Sequence, residues 1–157
     1  MVNLQESLEH DQFGNLLYPL INDIDIVLKE HFLPNNLLEV IEDNSLIVTT
    51  PLYIKSLNKT SQNKDLKSSL FISSTAPLNQ DDTKEFINKF NTNIIQLFGS
   101  TETSGIAYKK NQEVLWTPLE SVNISTNEKN ELKIESPFVS DILYENGFKN
   151  TEGKIQT

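Results

Sequence analysis

The sequence predicts an α/β fold: alternating βα units on a mostly parallel sheet, followed by part of an antiparallel β-rich lobe. Three observations carry this prediction. Up to about Gly105, short apolar runs rich in β-branched residues alternate with segments of helical spacing, the pattern of βαβ units. Beyond Gly105 the strand-like runs shorten and are separated by Asn-, Glu- and Lys-rich turns, the pattern of hairpins. At 157 residues and 37% hydrophobic, the chain is long and apolar enough to bury a real core. The expected division is residues 1–105 as an α/β subdomain and residues 106–157 as a partial β-rich subdomain.

Taken in order, Phe13 to Ile21 places Phe13, Leu16, Leu17 and Leu20 on one helical stripe, and Ile24 to Leu28 reads as a short strand. Pro34 opens a helix with Leu37, Leu38 and Ile41 on its apolar face, since proline is tolerated in a first turn. Leu46 to Thr49 is a buried strand. Pro51 starts a helix through Ile54 and Leu57, followed by a polar loop from Thr60 to Lys67. Ser69 to Ser73 is a strand, Asp81 to Phe90 an amphipathic helix, and Asn93 to Phe98 the next strand. Ile106–Lys109, Glu113–Trp116, Val122–Ser125 and Leu132–Glu135 complete the set as short strands.

Composition excludes several function classes. The net charge is −9, from 13 basic and 22 acidic residues, and every base is Lys. An acidic chain without Arg has neither the basic face nor the guanidinium readers of a nucleic-acid partner, and it lacks the bidentate fork of most phosphate sites. With no Cys, disulfides, thiol nucleophiles and thiolate metal sites are excluded, which fits a reducing, cytoplasmic location. The two histidines, His10 and His31, have no zinc-hydrolase spacing. No apolar run spans a bilayer, the first residues lack a signal-peptide pattern, and no G-x-G-x-x-G follows any strand, which disfavours a dinucleotide-binding oxidoreductase.

Two segments follow buried strands, where ligands bind in open parallel sheets. Ser73-Ser74-Thr75-Ala76-Pro77-Leu78 offers small residues and a stiffening proline. Phe98-Gly99-Ser100-Thr101-Glu102-Thr103-Ser104-Gly105 offers an aromatic face, glycine-bracketed backbone, hydroxyls and one carboxylate. A carboxylate suits Mg²⁺, which keeps most of its waters and takes one or two protein oxygens plus phosphate oxygens. Each segment alone is ordinarily a satisfied turn. Elsewhere, Asp81-Asp82 reads as a macrodipole-favoured helix start, Lys109-Lys110 as a solvated strand end and Trp116 as lobe core. His10 is read as a surface or packing residue that could border a pocket.

In combination, the Ser73–Leu78 segment, an amphipathic helix, a strand and then Phe98-Gly99-Ser100-Thr101-Glu102 resemble the adenylate-forming (AMP-binding) superfamily of acyl-CoA synthetase-like ligases. Asp11-Gln12-Phe13-Gly14, Thr49-Thr50-Pro51, Pro118-Leu119, Glu131–Ile134, Ser136-Pro137 and the closing Gly153-Lys154-Ile155-Gln156-Thr157 are similar to that family's further landmarks, so the resemblance covers nearly the whole chain.

The resemblance implies that residues 1–105 form the nucleotide- and acyl-binding part of the family's large N-terminal domain. It implies that Thr75, Ala76 and Pro77 line the adenine, and that Phe98, in place of the family's Tyr, packs on it. Gly99 and Ser100 would approach the acyl carbonyl, Thr101 would hydrogen-bond the α-phosphate, and Glu102 would hold Mg²⁺. Thr101 and Glu102 are thus the implied catalytic pair, with Phe13, Gly14, Gly105 and Ile106 shaping the acyl pocket. The implied reactants are ATP, leaving as AMP, a carboxylic acid and CoA or an acyl carrier protein.

The chain departs from the family where Ser74-Thr75 replaces a Gly-Gly pair. The phosphate loop, the ribose-binding Asp and the C-terminal domain with its catalytic Lys lie outside the matched residues. The expectation is therefore a fragment that needs the N- and C-terminal remainder of its parent and is inactive alone. The alternative is a non-catalytic small-molecule or protein-binding module derived from the same fold.

Overall fold

The computed structural model describes residues 19–27, 33–100 and 103–139, together with the backbone of 154–156. The described residues up to Gln96, with Lys110–Glu113, form one compact unit, and Leu97–Lys109 with those from Val114 onward form a second. The predicted α/β class is what the structure has.

In the first unit, helix α1 (Pro34–Val40) and helix α2 (Pro51–Asn58) each begin on proline, which supplies a helical φ and needs no N–H partner there. Thr50 caps α2 by accepting from the Tyr53 N–H. Helix α3 (Gln80–Phe90) is capped by Asn79, whose Oδ1 accepts from the Asp82 N–H at 2.8 Å, and it ends on Asn91 in the left-handed conformation. Asp81 and Asp82 occupy its first turn as predicted, and Asp82 also pairs with Lys55 at 3.4 Å.

Strand β1 (Leu46–Thr49) pairs in parallel with β2 (Leu70–Ser73), and β2 with the first half of β3 (Asn93–Ser100). The in-register row Ile47, Phe71 and Ile94 is fully buried, and Leu37, Leu38, Ile54, Leu57, Phe86 and Phe90 of the helices belong to the same core. Three phenylalanines form its centre: Phe71 meets Phe86 edge-on at 4.8 Å, and Phe86 meets Phe90 at 5.1 Å. Two lysines close helix ends. Lys64 Nζ donates to the carbonyls of Leu38 and Ile41, and Lys89 Nζ to those of Leu57, Asn58 and Thr60. Each satisfies carbonyls that a helix end leaves without partners.

Strand β4 (Ser104–Lys110) returns beside β3: the Asn111 N–H donates to the Ile94 carbonyl at one end, while Gly99 lies against Ser104 at the other, so the two run antiparallel. Strand β5 (Thr117–Pro118) pairs antiparallel with β4, completing the order β1-β2-β3-β4-β5. A second sheet contains β6 (Asn123–Thr126), β7 (Leu132–Glu135) and β8 (Lys154–Gln156), all antiparallel. Ile106, Ala107, Val122, Ile134 and Val139 form the core of the second unit.

The structure corrects several expectations. Residues 24–27 are not a strand; the Ile24 N–H is taken by the Pro19 carbonyl at the end of a helical turn over 19–21, so it has no ladder to join. Glu113–Trp116 is not a strand either. Glu113 closes a turn on Lys110 through its backbone N–H and its carboxylate, and the strand begins only at Thr117. The predicted loop from Gly99 to Gly105 shrinks to a hairpin connection, because β3 runs on to Ser100 and β4 starts at Ser104. Strand β8 was not expected. The helical stripe of Phe13 to Leu17 and the placements of His10 and His31 lie outside the described residues. No helix among the described residues is long and apolar enough to cross a membrane.

Candidate functional site

In the first unit, the segment after β2 is a turn held at both ends. The Ser74 N–H donates to the Thr49 carbonyl at 3.2 Å, extending the β1–β2 ladder by one bond, and Leu78 is anchored in the core just before the α3 cap. Between these anchors Thr75, Ala76 and Pro77 are exposed. Thr75 has φ 78°, a strained value for a β-branched residue and one that glycine adopts freely.

In the second unit, Phe98, Gly99, Ser100, Gly105 and Ile106 share one hairpin. Gly99 is required by space: a Cβ there would lie 2.2 Å from the Ser104 carbonyl oxygen. Gly105 is under milder constraint, with its nearest neighbour the Leu119 Cδ1 at 2.7 Å, and neither glycine uses the left-handed region. A hydroxyl pair ties the hairpin end. Ser100 Oγ and Thr103 Oγ1 are 3.0 Å apart, each accepts from the other's backbone N–H, and Thr103 is buried. Ile106 is packed in the second core.

Phe98 is 41% exposed and packs on Trp116, with ring centroids 5.6 Å apart. Trp116 is 39% exposed, so it is a surface residue and not the lobe core that the sequence suggested. Lys109 Nζ lies 4.9 Å from the Trp116 ring, a cation–π contact that shields the indole in place of a fully solvated strand end. Sequence reasoning missed this grouping because Phe98, Lys109 and Trp116 have no common periodicity and meet only through the hairpin. Phe13, Gly14, Thr101 and Glu102 lie outside the described residues.

Among the described residues no three His, Cys, Asp or Glu side chains gather as a metal cage.

The order of parallel units, hairpin and second antiparallel sheet defines a class: the chain has the fold of part of the N-terminal domain of adenylate-forming, acyl-CoA synthetase-like enzymes. Among solved structures it is similar to O-succinylbenzoate coenzyme A synthetase (MenE) from Bacillus subtilis in complex with ATP and magnesium ion, with a TM-score of 0.78 and 20% identity over 99% of this chain. It is similar to ATP-bound MatB from Rhodopseudomonas palustris (TM-score 0.74, 17% identity, 99% of this chain and 39% of that one). Coronafacic acid ligase from Pectobacterium brasiliense matches with a TM-score of 0.71 and 17% identity over 88% of this chain and 31% of that one. The chain spans 38% of the length of the MenE chain. No protein-family model matches the sequence, and no curated protein does.

Proposed function

We propose that this chain is the central part of the N-terminal domain of an ATP-dependent carboxylate-adenylating ligase. The observation that supports the reading most is the fold match over 99% of the chain to a synthetase solved with ATP and magnesium ion, in a sequence that also carries Phe98-Gly99-Ser100-Thr101-Glu102. In the reaction, a carboxylate oxygen attacks the α-phosphorus of ATP and pyrophosphate leaves. The resulting acyl group then passes to the thiol of CoA or of an acyl carrier protein, releasing AMP.

In this reading Phe98 packs on the adenine, and Thr75, Ala76 and Pro77 offer it backbone. Thr101 donates to the α-phosphate, and Glu102 takes the Mg²⁺ that travels with the phosphates. Gly99 and Ser100 bring backbone to the acyl carbonyl, while Phe13, Gly14, Gly105 and Ile106 shape the acyl pocket. Residues 1–105 and 106–157 act as the nucleotide/acyl-binding and β-rich subdomains, in a cytoplasmic protein. Catalysis of this kind is positioning and charge neutralisation. An acidic chain without Arg supplies little of the latter, so the isolated chain does not turn over ATP.

Pyrophosphate exchange with a panel of carboxylic acids tests this, with none expected; robust exchange overturns the inactive-part reading. Calorimetry with AMP tests the site, and weak binding abolished by Thr101→Ala or Glu102→Ala is expected. The second reading, a non-catalytic binding module, is favoured by one observation: Thr75, which the first reading sets against the adenine, adopts a φ of 78°, suited to glycine. Absence of any AMP binding would support it.

A further inference from the structure

At the carboxyl ends of β1 and β2, two buried hydroxyls stand side by side. Thr49 and Ser73 are register partners across the parallel pair, 4% and 1% exposed. Among the described residues, neither Thr49 Oγ1 nor Ser73 Oγ has a hydrogen-bond partner. Alternation along a strand puts them on the face that carries Ile47 and Phe71, two residues earlier. Gln96, the register partner of Ser73 on β3, is 4% exposed and adds an amide to the same row. The apolar row Ile47, Phe71 and Ile94 therefore gives way, one step along the sheet face, to the polar row Thr49, Ser73 and Gln96.

A valine and an alanine would continue the apolar row at no hydrogen-bonding cost, whereas two buried hydroxyls without partners are destabilising and call for a reason. Adjacent strands stand about 4.8 Å apart. Two hydroxyls at that spacing leave room for an oxygen between and slightly beyond them at an ordinary O–H···O distance, roughly 2.7–2.8 Å, from each. The row sits at the strand ends where ligands enter open parallel sheets, and the exposed residues Thr75 to Pro77 follow Ser73 in the chain. No charged side chain occupies the row or the segment from Ser73 to Leu78, so the pair suits a neutral oxygen and not a carboxylate.

We propose that Thr49 and Ser73 form a buried, uncharged oxygen-binding site that takes the carbonyl or hydroxyl oxygen of a small neutral ligand group, with Gln96 beside it. A bound water offers the same chemistry, and the test separates the two sources.

The 157-residue chain is titrated by NMR with cyclopentanone, with acetate as the charged control. Expected are saturable shifts of the Thr49, Ser73 and Gln96 amides, at least tenfold weaker binding in a Thr49→Val/Ser73→Ala double variant, and no response to acetate. Binding that the double variant leaves unchanged overturns the assignment of these hydroxyls. If cyclopentanone does not bind and the double variant melts below the wild type, the oxygen is a structural water and the ligand site is overturned. If cyclopentanone does not bind and the double variant melts above the wild type, the hydroxyls hold no oxygen and the proposal fails entirely.

Discussion

The Phe98 ring leans on the Trp116 indole at an interplanar angle of 49°, and the Lys109 ammonium covers the indole from its own strand. Because Trp116 is the single tryptophan of the chain, the pair is a built-in reporter of whatever binds at Phe98. Under the adenylation reading, Mg·ATP or AMP changes Trp116 fluorescence saturably. Phe98→Ala removes a stacking surface of about 1–3 kcal/mol and weakens binding about 5- to 150-fold. A fluorescence titration that is identical in wild type and Phe98→Ala would exclude Phe98 from the nucleotide site.

The hairpin glycines separate space from conformation. Gly99→Ala drives a Cβ into the Ser104 carbonyl, rigid backbone that cannot yield without opening the strand pair. A loss of about 2–4 kcal/mol is expected. Gly105→Ala meets only the end of the Leu119 side chain, which can rotate away, and is expected to cost less than about 1.5 kcal/mol. Urea denaturation of the two variants checks the order; equal losses would contradict the crowding argument.

Thr75→Gly tests the strained turn. A β-branched residue at a φ of 78° carries a penalty of about 1–2 kcal/mol that glycine lacks, partly offset by the greater freedom of glycine in the unfolded chain. A net gain of about 0.5–1 kcal/mol and a higher Tm are expected. If nucleotide meets this turn, the same variant also tightens AMP binding, measured by calorimetry.

Alkaline pH probes Tyr53. Its phenol is buried, and burial pushes it up from the ordinary 10.0 to about 12. The folded chain therefore holds this proton more tightly than the unfolded one. The resulting stability is full below about pH 10 and is lost as pH rises from about 10 to about 12. Tyr53→Phe should flatten that part of the profile. Urea midpoints at pH 8, 10 and 11.5 for both chains check it, and parallel decline in the two would assign the alkaline loss elsewhere.

Much of the first unit was legible in the sequence. Pro34 and Pro51 mark helix starts, and the runs Leu46–Thr49 and Leu70–Ser73 are β-branched or aromatic enough to be strands wherever they are buried. Asn91 shows what composition concealed. Asn looks like a general bias of the chain, yet Asn44, Asn91, Asn111 and Asn130 all adopt left-handed backbone, which Asn tolerates better than most residues. The failures at Ile24–Val27 and Glu113–Trp116 share one cause. A short apolar run becomes a strand only if a neighbour offers a ladder, and that neighbour is not written in the run itself.

By itself the sequence determined the α/β class, the order of elements from Pro34 to Phe98, and a net charge of −9 with neither Cys nor Arg. These depend on periodicity, on proline and glycine, and on which side chains exist at all, and all three are local. Only the tertiary structure decided that Trp116 lies on Phe98, that Gly99 has no room for a Cβ, and that Thr49 and Ser73 bring two hydroxyls into one buried row. Those facts arise from register and hairpin closure, which join residues far apart in the chain through contacts that no local pattern encodes.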